Sequence, residues 1–125
     1  MRRKRSQAGF TMIEVMVAVL LTAIAVVGIV SLYRVQTRSS AYSRRSTEAV
    51  VLAGDKLEVL RATAVPVASA LDEELDATGA LVPGGPYRRR WFVLPTATQY
   101  ELRVEVDWDD DGTTRTTTLR SFRRL

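Results

Sequence analysis

The spacing of apolar residues changes twice along this chain. From Val15 to Leu32 no charged side chain interrupts the sequence, and Phe10 to Ile13 extend the apolar run on the other side of Glu14. That stretch can cross a bilayer as a helix, which needs roughly 20 residues. From Tyr42 onward the apolar positions narrow to a stripe. Tyr42, Ser46, Ala49, Val50, Ala53, Leu57 and Leu60 recur at steps of three and four, the pattern of one buried face on an amphipathic helix. Arg44 and Arg45 stand one turn from Glu48, a pairing worth tenths of a kcal/mol. No proline occurs between Met1 and Val65. One helix is therefore expected from about Thr11 to Ala64, ended by Pro66 and about 80 Å long at 1.5 Å per residue. Gly28 is read as a site of close helix packing.

Farther on the period becomes two. Tyr100, Leu102, Val104, Val106 and Trp108 alternate with Glu101, Arg103, Glu105 and Asp107, which predicts a half-buried strand. The turn residues Asp109 to Gly112 follow, then a threonine-rich strand from Thr113 to Phe122. Tyr87 to Leu94 reads as an earlier strand closed by Pro95. Between helix and strands, Pro66, Gly79, Pro83, Gly84, Gly85 and Pro86 mark a connecting region. Leu71 to Leu75 suggest one short helical turn there, and Asp72, Glu73, Glu74 and Asp76 a solvated acidic cluster. The expected fold is α+β, a long helix packed on a small three-stranded antiparallel sheet. Trp91, Phe92, Tyr100 and Trp108 are expected in its core and on its sheet faces.

Glu14 does not belong at the head of a membrane segment by hydropathy alone. A carboxylate near the hydrocarbon centre costs about 2.5–3.5 kcal/mol on insertion scales, so it calls for a positive partner. Before it stand Arg2, Arg3, Lys4 and Arg5 with no acid, the mark of a segment kept on the cytoplasmic side. A secretory signal peptide cut near Ala23-Ile24-Ala25 is one alternative. Glu14 at the junction and the apolar run continuing from Val26 to Leu32 oppose it. A plain single-pass anchor is the other, and periodicity alone does not exclude it.

The run Gly9-Phe10-Thr11-Met12-Ile13-Glu14-Val15 resembles the cleavage motif of type IV pilin-like precursors, whose class III signal peptides share a basic leader and a following span. The resemblance implies a pilin-like fold and a cut between Gly9 and Phe10 by a prepilin peptidase. It also implies N-methylation of Phe10, with Glu14 setting subunit registration. The new amine of Phe10 then supplies the missing cation. An ion pair in an apolar bundle offsets several kcal/mol of desolvation per ion only when both partners are present. Val15, Leu20, Leu21, Ile24, Val27 and Ile29 serve as membrane anchor and, in an assembly, as filament core. The chain then divides into a removed leader (1–9), a transmembrane half-helix (10–33), an amphipathic half (34–64), a connecting loop (65–86) and a sheet region (87–125).

Composition matters after that division. The 125 residues carry a net charge of +4. The leader holds four positive charges, so the remainder is near neutral and its high isoelectric point does not indicate a nucleic-acid binder. Cysteine and histidine are absent. That removes disulfide bracing, thiolate and imidazole chemistry and most zinc sites, so an enzyme is not expected and no cofactor is required. Many pilin-like proteins close their C-terminal region with a disulfide, and this sequence departs from them.

Two constellations invite sharper readings. Asp107, Asp109 and Asp111 followed by Gly112 match the start of a calcium loop, but the twelfth position is Thr118 where a bidentate glutamate is needed. A hairpin turn is the simpler reading, with calcium as the alternative. Arg88, Arg89 and Arg90 beside Trp91 and Phe92, with Arg120, Arg123 and Arg124 later, form a candidate basic surface. Basic residues among aromatics can bind single-stranded nucleic acid, yet the acids from Glu101 to Asp111 offset them. Subunit contact or plain surface is favoured, and nucleic acid is not expected as a partner.

Ser46 to Arg61, and the strand Val104 to Trp108 followed by Asp-Gly, are similar to minor pilins of the PilV type and to I-type minor pseudopilins of type II secretion. Both imply a low-copy subunit priming filament assembly with other minor and major pilin-like subunits on an inner-membrane platform. The minor pilin is the preferred expectation. Its implied place is the bacterial inner membrane, crossed once with the N-terminus in the cytoplasm and the C-terminal domain in the periplasm. From there the subunit enters a pilus or pseudopilus.

Overall fold

Thr11 starts the helix. Its hydroxyl accepts the backbone N–H of Glu14 at 3.4 Å, while Glu14 Oε2 accepts the Thr11 N–H at 3.3 Å. This reciprocal arrangement is a capping box, which satisfies two of the donors that a helix start leaves unpaired. The computed structural model describes residues 9–124; the basic leader Arg2, Arg3, Lys4 and Arg5 lies outside the described residues. From the cap runs α1 (Met12–Ala62), a single helix of 51 residues. It ends two residues before the expected Ala64. Pro66 restricts Val65 to extended backbone, and the guanidinium of Arg123 donates to the carbonyls of Thr63 and Ala64.

The chain divides into two units, one up to Ser39 and one from Ser40. In the first, every described residue is exposed. The second holds the core. Four strands form one antiparallel sheet in the order β1 (Glu73–Leu75), β2 (Tyr87–Pro95), β3 (Gln99–Asp110) and β4 (Thr113–Arg124). The fold is therefore α+β as expected, with four strands where three were expected. The added strand lies in the segment read as a loop with a helical turn. Leu75 pairs with Tyr87 and is completely buried, while Leu71 stays 83% exposed. Only one of the two leucines packs inside, so nothing favours a helical turn there.

Leu102, Val104, Val106 and Trp108 on β3 turn one face of the sheet toward Ala49, Leu52, Ala53 and Leu60 of α1. The helix stripe differs from expectation at two places: Tyr42 is 41% exposed, and Leu52 takes the buried place expected for Val50. Leu52 is 2% exposed and Val50 is 43% exposed. At 3.6 residues per turn, Val50 lies about 100° around the helix from Ala49, and Leu52 about 60° on the other side. Burying Leu102, Val104 and Val106 of β3 and Leu52 of α1 contributes about 1.5–3 kcal/mol each. Gly85 completes the packing near β1: a Cβ built there would lie 2.4 Å from the Leu75 carbonyl oxygen.

Candidate functional site

The N-terminal segment is an apolar helix with one charged head. Phe10 is 85% exposed and Ile29 67%. Val15, Leu20, Leu21, Ile24 and Val27 are likewise exposed. The polar side chains of the span do not seek outside partners. Thr22 donates to the carbonyl of Ala18 at 2.7 Å and Ser31 to that of Val27 at 3.0 Å. In hydrocarbon such self-satisfaction matters, because an unpaired polar group has no water to turn to. The helix is long and apolar enough to span a membrane.

Glu14 lies in the first turn of α1 and lines a shallow groove with Phe10, Val15 and Ala18. Both of its contacts run to Thr11, and the hydroxyl of Thr11 also donates to Oε2 at 3.3 Å. A carboxylate in the first turn is further favoured by the positive end of the helix dipole. The cap was missed in the sequence, although its Thr-x-x-Glu signature before an apolar run is legible there.

The other sequence-singled residues lie in the second unit, and the structure separates them. Asp107 accepts from the Thr116 hydroxyl at 2.7 Å and from Arg90 at 3.0 Å. Asp109 accepts the Gly112 N–H at 3.2 Å, inside the turn where Asp111 has φ 52°. Asp109 thus serves the hairpin turn and Asp107 a sheet-face network. Among the described residues, no cluster of three or more acids is placed to hold a metal ion.

Arg88, Arg89 and Arg90 alternate across β2 and so do not form one basic surface. The Arg89 side chain is 11% exposed and meets Glu73 at 2.6 Å and the Leu52 carbonyl at 3.0 Å. Arg90 faces the other way, 2.9 Å from Glu105. Asp72 and Glu74 of the acidic stretch are exposed as expected, but the acids also have defined partners. Glu73 pairs with Lys56 at 3.4 Å and with Arg89, Glu74 accepts the Gly84 N–H at 2.6 Å, and Asp76 accepts Thr78 and Ala80 N–H groups. Lys56 also lies 3.6 Å over the Trp91 ring. On the same helix, Glu48 accepts the phenol of Tyr87 and pairs with Arg44 at 2.8 Å. The Tyr87 bond, then Arg44, hold the Glu48 carboxyl below its usual range. Burial, then Glu48, push the Tyr87 phenol up to about 12.

Residues 4–30 match the family described as the prokaryotic N-terminal methylation motif. No curated protein and no solved structure matches the chain. The matched segment holds Lys4 and Arg5 of the basic leader, the Gly9-Phe10 junction, the capping box and most of the apolar span. Its family is structural rather than enzymatic. The motif implies processing by a prepilin peptidase and assembly with other pilin-type subunits. Together the N-terminal methylation motif, the exposed apolar helix headed by Glu14 and the helix-on-sheet unit that follows it support a type IV pilin-like precursor with a class III signal peptide.

Proposed function

We propose that this protein is a minor pilin of a type IV pilus, cut after Gly9, methylated at Phe10 and incorporated with other minor pilins into a complex that primes filament assembly. One observation carries this reading: an exposed apolar span bears a single carboxylate near its start, and the complementary cation arises at Phe10 only after the cut. In the precursor Glu14 is held by Thr11. In a filament the amine of a neighbouring subunit becomes its partner, and a wrong axial offset leaves a charge unpaired in apolar surroundings. The C-terminal unit hangs outside the membrane and contacts its neighbours.

The same motif and helix-on-sheet unit also suit a second reading, a minor pseudopilin of a type II secretion system. Deleting the gene separates the two. Loss of surface filaments with protein export intact supports the pilus, and loss of export alone supports the pseudopilus. The priming role is tested by locating the tagged subunit on sheared filaments. Signal confined to one end, together with copurified minor subunits, is expected; even labelling along the filament would contradict it.

A further inference from the structure

Strand β4 is an outer strand of the sheet, twelve residues long and paired only with β3 among the described residues. It carries Arg115, Arg120, Arg123 and Arg124 and no acid. Two of these are used internally. Arg123 holds the carbonyls past the helix end, and Arg115 lies 3.7 Å from Asp110. Arg120 and Arg124 have no ion pair or hydrogen bond among the described residues. Between them stands Phe122, 60% exposed.

The backbone adds a second observation. Asp111 and Gly112 form a two-residue turn with φ of 52° and 80°, as a type I′ hairpin requires. Such a turn makes Asp110 and Thr113 a hydrogen-bonded pair, and bonded pairs then recur at every second residue. Arg120, Phe122 and Arg124 fall at the alternate positions of the register. Their N–H and C=O groups therefore point away from β3, toward the open edge. The same three side chains share the sheet face opposite α1, spaced cation, aromatic, cation at steps of two.

We propose that this edge receives an extended acidic segment of another polypeptide as a fifth strand, with a carboxylate-x-apolar-x-carboxylate pattern. The backbone groups of the edge supply the ladder, as in strand addition generally, and the side chains select the occupant. Carboxylates pair with Arg120 and Arg124, and the apolar residue covers Phe122. The pattern reads identically in both directions, so parallel and antiparallel docking are equally served. A second copy of β4 is disfavoured, because two-fold pairing centred on Phe122 sets Arg120 against Arg124 twice; arginine on an open edge acts against such self-association. The inference concerns this edge alone and holds for either kind of filament.

The test uses the full chain in detergent micelles, isotopically labelled, titrated with the synthetic peptide Thr-Glu-Thr-Leu-Thr-Glu-Thr. Saturable binding is expected, with slowed amide exchange at Arg120, Phe122 and Arg124. The doubly reversed variant Arg120→Glu with Arg124→Glu should lose affinity by about tenfold or more and gain it for the peptide with lysine in place of glutamate. Absence of binding to the wild-type chain overturns the proposal. So do equal binding by the reversed variant, tighter protection of the same amides by oligothymidylate, and dimerisation through β4.

Discussion

Under the proposed function Glu14 has two tasks that a single substitution can separate. Its carboxylate closes the cap with Thr11, and its charge awaits an amine. Glutamine keeps the first and loses the second, since capping boxes accept either residue. Glu14→Gln should therefore be processed at the wild-type rate, yet enter filaments at a tenth of the wild-type level or about that, the effect of losing roughly 1.4 kcal/mol. Glu14→Ala should assemble no better and also fray the helix start. Quantified filament fractions of the two variants decide the point; normal incorporation of Glu14→Gln would leave only the cap as the function of this residue. Tyr87 supplies a second prediction. Its folded pKa lies near 12 against an unfolded value of 10.0. The folded state thus holds its proton longer, and the associated stability is complete below about pH 10 and disappears as the pH climbs to about 12. Melting temperature should fall more steeply over that window for the wild type than for Tyr87→Phe. Identical slopes would show that neither burial nor Glu48 holds the proton on the phenol.

At the scale of elements, the contact between α1 and β1–β2 is a charged one flanking an aliphatic core. Lys56 and Arg89 converge on the single carboxylate of Glu73, and Lys56 also lies over the Trp91 ring. Glu73→Gln leaves two cations facing each other at a half-buried place, and should destabilise the folded unit by about 1–3 kcal/mol. Denaturant titration measures this, and an unchanged midpoint would contradict the arrangement. None of this network was legible in the sequence. The acids of residues 72–76 and the arginines of residues 88–90 read there as two separate surfaces, because pairing across the sheet depends on register, which linear spacing does not give. Strand β3 was legible because one face is wholly apolar, so its period of two survives burial. Strand β1 was not, since three residues with one buried leucine carry no period. The exchange of Val50 for Leu52 in the helix stripe has the same origin: apolar residues on both sides of Ala49 leave the centre of the buried face to the sheet.

For the whole molecule, the sequence divides its information unevenly. The N-terminal segment was readable nearly in full, because a membrane span and a processing motif are encoded locally, residue next to residue. The C-terminal unit was readable as elements but not as contacts. There Asp109 takes part in the hairpin turn and Asp107 in a network on the sheet face, Arg89 and Arg90 are paired on opposite faces of β2, and Arg120 and Arg124 lie on the open edge. The central claim concerns the first part: the positive partner of Glu14 is made by cleavage. Mass spectrometry of the protein recovered from assembled filaments tests it most directly. The account predicts a chain that begins at Phe10 with one methyl group on its amine; a chain that retains Met1, or one that begins at Val26, would contradict it.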